Sequence, residues 1–506
     1  MRVFHVRGGV RLNGHKHRAK RGRITALPLA PYLSVPVKQH IGAPAEPVVR
    51  VGQHVLKGGL LARPQGPMSA PVHAPTSGLV VTIGEAPASH PSGLAITTIT
   101  VQSDGEERWA ELVPTPDPLA LDAEAIEERI AAAGVVGLGG ATFPAAVKLR
   151  LRTRHPIRTL VVNGAECEPY LTCDDRLMQE RAEEIVDGVR IMLRALGQQA
   201  SGRGVHVHAL VAIENNKGAA LAALRQATAG DPGIATIAVP TRYPMGSEKH
   251  LIRAVTGKEV SARALAAEIG VLVHNVGTAY AVHRALRLGR PLISRIVTVS
   301  GGAVESPQNF EVPIGTPVSA LLRAAGGLRE PAARLLMGGP MMGAMLPHAE
   351  VPVVKGTSGI LALSAAELAE KPAMACVRCG TCVDVCPCGL VPVEMVSQIR
   401  SGRLERALSF GLLDCVGCGT CAYSCPARIP LLQYLNFAKG ELTARERERH
   451  KAEEARRLAE RRRLRLAQEA KSRAAARSKS RKPRDRHDGS ETVAAQDGAT
   501  QPQAAA

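Results

Sequence analysis

Cys376-x2-Cys379-x2-Cys382-x3-Cys386-Pro387 is followed by Cys415-x2-Cys418-x2-Cys421-x3-Cys425-Pro426, one spacing written twice. Three thiolates at two-residue gaps wrap one face of an iron–sulfur cubane, and the fourth cannot close onto the same irons. Where two such runs occur, the fourth cysteine of each ligates the cluster of the other. The spacing therefore predicts two [4Fe–4S] clusters, one on Cys376, Cys379, Cys382 and Cys425, the second on Cys415, Cys418, Cys421 and Cys386. Each following proline ends its turn by removing a donor and fixing φ. Zinc sites use four ligands as two pairs, which leaves a duplicated run of four unexplained. Clusters crossed in this way lie close together and pass single electrons, with a purely structural pair as the bland alternative. Cys388 has no counterpart after Pro426, where Ala427 and Arg428 follow, and reads as a bystander. Cys167 and Cys173, far from both runs, read as buried thiols.

Two other stretches carry candidate chemistry. Gly134-Val135-Val136-Gly137-Leu138-Gly139-Gly140-Ala141-Thr142-Phe143-Pro144 runs into a predicted helix that holds Lys148. Exposed amides at such a turn, with a lysine close by, suit a phosphate-bearing cofactor. The loop departs from the usual dinucleotide fingerprint, because Thr142 stands at the last glycine and a helix precedes it. Taken by itself it fits helix packing equally well. Asn163-Gly164-Ala165-Glu166-Cys167-Glu168-Pro169-Tyr170 follows a predicted strand, at the end where α/β sheets bind ligands. Asn163, Glu166 and Glu168 suit contacts to a polar ring or ribose, against the commoner case of solvated glutamates.

The elements that must position these residues follow from pattern. At 506 residues, the chain has room for about three folded units and a tail. With 2% aromatic against 45% hydrophobic residues, the cores must be aliphatic. Residues 1–115 read as short strands punctuated by Pro and Gly, and resemble the barrel-sandwich hammerhead of biotinyl and lipoyl carriers. The carrier lysine is missing from Met68-Ser69-Ala70-Pro71-Val72-His73, so the module is expected to be structural. Residues 116–290 read as α/β: Asp122 caps a helix that places Ile126 and Ile130 on one face, and Thr159–Val162 and Val205–Ile213 form buried strands. A mostly parallel sheet covered by helices is expected. Residues 291–370 form a small α+β module, 371–438 the helical cysteine domain, and 439–506 a charged helix that gives way to a disordered basic tail by Ser478.

Much of the net charge of +19 lies after Ala444, so it is a property of the tail more than of the folded part. No run of about 20 apolar residues suits a membrane span and no leader-like start is seen. Closely spaced cysteines in such a chain argue for metal in a reducing compartment.

Loop, acidic turn and duplicated cysteine run, in this order, resemble the C subunit of the Rnf electron transport complex, itself similar to the flavin-bearing NADH-oxidising subunit of respiratory complex I. The resemblance covers about residues 1–440 and extends to Tyr243-Pro244-Met245-Gly246-Ser247-Glu248-Lys249, Val273-His274-Asn275-Val276-Gly277-Thr278 and Gly338-Gly339-Pro340-Met341-Met342-Gly343. It implies a Rossmann-like FMN-binding domain, a β-grasp-like module that in other proteins binds soluble ligands, and a ferredoxin domain. It also implies FMN approached by Gly137, Gly139 and Lys148 and held by Asn163, Asn275 and Thr278, with NADH on the side of Glu166 and Glu168. Ala165 stands where the complex I subunit has a flavin-bonding aspartate, and the stretch that subunit uses around the nicotinamide has no clear match near Ile213–Lys217.

The implied function is NADH-linked, ion-coupled electron transfer with no side chain acting as general acid or base. The implied place is the cytoplasmic face of the inner cell membrane, held by membrane subunits of the complex, with ferredoxin or a redox regulator as electron partner. Two rivals are a stand-alone soluble flavin iron–sulfur NADH oxidoreductase and a nucleic-acid-binding cluster protein. Few aromatic residues suit base stacking, so no nucleic acid is expected. Anaerobically prepared protein should carry about eight irons per chain on two crossed sets of four thiolates; metal analysis finding far fewer, or zinc, overturns the cluster assignment.

Overall fold

The computed structural model describes residues 3–87, 94–197, 207–368 and 372–479. One compact unit ends at Lys439, and a second begins at Gly440. The sandwich is built from the antiparallel sheet Tyr32–Pro36, Ala95–Ser103, Gly78–Pro87 and His54–Val55, with the three-stranded sheet Glu46–Pro47, Leu60–Arg63 and Val72–His73 beside it. Val80, Ile99, Val101, Leu61 and Val72 fill it, as inward alternation along half-buried strands requires.

The α/β domain is a four-stranded, wholly parallel sheet in the order Ile234–Val239, His208–Glu214, Thr159–Gly164, Val271–Asn275. The chain starts at Thr159–Gly164, builds two strands to one side, then returns to place Val271–Asn275 on the other. The order thus reverses between those two strands, at whose carboxyl ends Asn163 and Asn275 are register partners. Such a switch point is where open α/β sheets leave a crevice for ligand. Asp122 caps Ala123–Ala132 by accepting from the Ala125 amide at 2.7 Å, and Ile126 and Ile130 are fully buried, as the pattern predicts.

The third module centres on a mixed six-stranded sheet containing Ser294–Ser300, Gln308–Pro313, Gly359–Leu363 and Arg334–Met337. Its edge strand is Thr25–Ala26, which pairs parallel with Phe310 and Glu311. Residues 3–24 run as an arm across the α/β domain: Phe4 bonds Ala254, Val10 bridges Tyr243, and Tyr170 donates to Gly14. The final helix, Leu431–Lys479, is about 70 Å long. From Glu448 onward its described residues are all exposed. The helix still includes Ser478 and Lys479, where disorder was expected to have set in, and the rest of the predicted disordered tail lies outside the described residues. Among the described residues, no helix is long and apolar enough to cross a membrane.

Helices Ala182–Ala195 and Val276–Arg287 cross at Gly188, where a Cβ would overlap the carbonyl of Ala279. Substituting Gly188→Ala forces two backbones apart, which no rotamer change relieves. The overpacking cost, about 3 kcal/mol, exceeds the ~1 kcal/mol gained in helix propensity. Urea unfolding should show a clearly lowered midpoint.

Candidate functional site

The glycine loop is a closed turn. Val136 bridges Pro144, the Gly137 amide donates to Phe143 at 2.8 Å, and the Ala145 amide donates to Val135 at 3.0 Å. Thr142, the departure from the fingerprint, has φ of 47°, a left-handed conformation that favours glycine. Three polar side chains fix the loop from outside. Thr278 Oγ1 accepts from the Leu138 amide at 2.9 Å, and Arg295 donates to the Leu138 carbonyl at 2.6 Å. Lys355, fully buried, donates to Gly134 and Pro71 at 2.7 and 2.9 Å. Burial holds the Lys355 ammonium down, to about 7. No described residue accepts from the amides of Gly139, Gly140 or Ala141, and around Gly140 there is open space where a side chain would stand. This exposed, unfilled backbone fits an anionic group. Lys148 lies one turn on, paired with Glu248 at 2.9 Å.

The acidic turn folds inward. Glu166 accepts from the Asp174 amide at 2.8 Å and from Asp175 at 3.4 Å, so its carboxylate caps helix Cys173–Glu180 and is nearly inaccessible. Its carbonyl oxygen receives both Lys16 and Lys217, and Lys217 pairs with Glu214 at 2.6 Å. Asp174, pushed up by burial and by Glu166, receives Asn275 Nδ2 at 2.7 Å. Asn275 also caps Val276–Arg287 through Gly277 at 2.8 Å. Asn163 is spent on the Gly246 carbonyl and the Ala165 amide. The structure thus gathers Gly139, Asn163, Asn275 and Thr278 at the switch point, with the side-chain polar groups engaged by the protein itself. A ligand there meets mainly backbone.

Glu168 points elsewhere. One oxygen accepts from the Met341 amide at 3.0 Å, while Oε1 is buried without a partner. Burial raises its carboxyl to about 7. Gly339 packs so closely on it that no side chain would fit there.

The cysteine runs form two matched turns. Gly380 and Gly419 share φ of 79° and 78°, Arg378 and Gly417 are both left-handed, and so are Gly389 and Arg428. Thr381 donates to Cys379 Sγ at 3.3 Å and Thr420 lies 3.3 Å from Cys418 Sγ; backbone amides of Arg378, Gly417 and Leu390 reach Cys376, Cys415 and Cys386. Cys386 lies within electrostatic reach of Cys415, and Cys418 and Cys421 of both. Cys382 lies within reach of Cys425 and Cys379. These neighbours follow the crossed pattern. Cys386, Cys415, Cys418 and Cys421 line one pocket together, the four thiols of one crossed set. Cys388 lines it too. The inner set is largely buried, whereas Cys376 and Cys379 are exposed. Burial pushes Cys421 up to about 12, a cost that binding iron would offset.

Sequence reasoning assigned no role to Lys16, Lys217, Arg295, Lys355 or the segment from Tyr243. That segment joins both halves: Tyr243 donates to the Cys418 carbonyl at 2.7 Å, and the Gly246 amide donates to Cys167 Sγ at 3.3 Å. Beyond its place in the family resemblance, its advance signal was a Pro- and Gly-containing turn after a strand.

Comparison with known proteins gives family models over four stretches of the folded unit. A model described as the RnfC barrel sandwich hybrid domain matches residues 4–106, the Nuo51 FMN-binding domain 130–284, the SLBB domain 296–344, and a 4Fe-4S dicluster domain 375–429. The chain is similar to the C subunit of the ion-translocating oxidoreductase complex of Rhodobacter capsulatus, 52% identical over 89% of this chain and 85% of that one. Its counterpart from Pseudomonas aeruginosa is 50% identical over 90% of this chain and 58% of its own length. Among solved structures, an NAD+-reducing [NiFe]-hydrogenase in the air-oxidized state aligns over 62% of this chain and 63% of that one, at 22% identity and a TM-score of 0.43.

Because Glu168 has its carboxyl raised, the folded state holds its proton between roughly pH 4.5 and 7 where the unfolded chain has lost it. Its contribution to stability is present in full below that window and lost as pH rises through it. Glu168→Gln abolishes this slope. Between pH 5 and 8, the stability difference measured in urea should move in favour of the variant.

Proposed function

The chain belongs to the family of ion-translocating oxidoreductase complex C subunits, and from that premise we propose how its own residues serve the transfer of electrons. It is a peripheral electron-transfer subunit of a membrane-associated complex, with FMN and [4Fe–4S] clusters as its redox groups. Bound flavin supplies the conversion between the electron pair of a hydride and the single electrons that a cluster takes.

On this reading the open amides of Gly139, Gly140 and Ala141 receive the flavin phosphate, Gly137 closes the turn through Phe143 beside the flavin chain, and Lys148 adds positive charge. Asn163, Asn275 and Thr278 keep the crevice open by holding strand end, helix start and loop in register. Glu166 anchors the floor, and Glu168 lies toward the clusters. Cys386, Cys415, Cys418 and Cys421 hold one cluster; Cys376, Cys379, Cys382 and Cys425 hold the other. NADH is the two-electron partner and ferredoxin or a redox regulator the one-electron partner, through other subunits that carry the ion, with this subunit on the cytoplasmic face. The observation that carries this reading is the run of loop amides open to a ligand at the topological switch point, linked to the thiol pocket through the segment from Tyr243 to Glu248.

Anaerobic protein reconstituted with FMN and iron is mixed with NADH. Flavin absorbance should bleach before low-temperature EPR reports reduced clusters. Cluster reduction by NADH in protein without flavin would overturn the order, and protein that binds no FMN would overturn the site.

A further inference from the structure

We propose that Tyr243 is the positioning residue by which the α/β domain holds the inner thiol set, Cys386, Cys415, Cys418 and Cys421, as the cluster site next to the flavin crevice. This rests on the flavin reading above.

A buried tyrosine hydroxyl needs a partner. Tyr243 is 2% exposed, and its hydroxyl finds that partner outside its own domain, on the carbonyl of Cys418 at 2.7 Å. Cys418 stands between Gly417 and Gly419, both left-handed, so its turn is tightly shaped and its carbonyl direction fixes where the thiol points. The second inner turn is tied to the same segment by another route. Tyr243 exchanges both backbone hydrogen bonds with Val10, at 2.9 and 2.8 Å, and the neighbouring Gly9 amide donates to Val385, the residue before Cys386, at 2.9 Å. Gly8 lies so close against Cys386 and Pro387 that a Cβ would collide with their backbone.

A few residues further on, the segment meets the flavin crevice. Gly246 accepts from Asn163 and donates to Cys167, and Glu248 pairs with Lys148 beside the glycine loop. Four to six residues therefore join crevice and inner thiols through covalent and hydrogen bonds. Among the described residues, no hydrogen bond from the α/β domain reaches Cys376, Cys379, Cys382 or Cys425. The asymmetry makes the inner set proximal and the outer set distal. Transfer into either cluster moves one electron and neither makes nor breaks a bond.

The test compares full-length Tyr243→Phe with the parent, both loaded with iron, by EPR after dithionite reduction. A Cys418→Ala control identifies the inner signal as the one it removes. In Tyr243→Phe the inner signal should shift while the outer stays in place, and a chelator should strip the inner irons about five- to tenfold faster, the fold-change expected for one net hydrogen bond. Tyr243→Leu, which removes the ring as well, should lose inner irons first. An unshifted inner signal with unchanged iron release in Tyr243→Phe, or a shift confined to the outer signal, overturns the proposal. Should NADH fail to bleach flavin in the parent, the flavin reading falls, while the EPR and iron-release comparisons still judge Tyr243.

Discussion

Lys16, Glu166, Glu214 and Lys217 are buried together at the carboxyl end of the parallel sheet. An isolated charge in such a place costs several kcal/mol, and removing one member of a buried pair costs about 3–5 kcal/mol because its partner is left bare. The side chains of Glu214 and Lys217 are each 2% exposed, so neither can turn to water. Glu166 is held by helix amides on one side and by Lys16 on the other. Lys16 comes from the amino-terminal arm, and the arm cannot lift without taking from Glu166 the cation that faces it. What pins Lys16 also pins Gly8, Gly9 and Val10, and through them the turn before Cys386. A requirement for charge neutrality at the sheet is thereby converted into a fixed place for the cysteine domain.

The glycine loop shows the same dependence on distant groups. A loop with open amides binds an anion well only if it does not collapse onto itself when empty, and preorganisation of that kind must come from outside the loop. Arg295 and Lys355 come from the third module, Thr278 from the far side of the sheet, and Lys355 also bonds Pro71 of the sandwich. The sandwich, which lacks a carrier lysine, has a physical task in this arrangement: it supplies one of the two carbonyls that hold the Lys355 ammonium against the loop. Flavin site and cluster site are therefore properties of the whole unit up to Lys439, and not of the segments that carry them.

Legibility in the sequence followed the range of the interaction. The cysteine runs are local, so spacing alone suggests a crossed assignment, and in the fold Cys386 lies near Cys415 and Cys382 near Cys425. Asp122 and the buried strand at Thr159 were equally local. Asn163 and Glu166 were marked for their position at a strand end and Asn275 through the family resemblance, but an amide that caps a helix and an amide that grips a ligand are the same residue type in the same place. Only the folded chain separates the two, and there these polar groups are engaged by backbone. Lys16 and Arg295 were invisible for a different reason: their partners lie 150 and 157 residues away, beyond any periodicity a sequence can display.

The two thiol sets receive nearly the same hydrogen bonds, since the turns are repeats. Thr381 and Thr420 stand at equivalent places, as do the amides of Arg378 and Gly417. The Leu390 amide adds one bond, to Cys386 Sγ in the inner set, and the sets differ further in their access to water. Cys376 and Cys379 are exposed, while Cys386, Cys418 and Cys421 are buried. Added negative charge is penalised more in the buried cage than at the wet one, because burial withdraws the solvent that would stabilise it. Solvent exposure thus favours added charge at the outer thiols, of which Cys376 and Cys379 lie open at the surface.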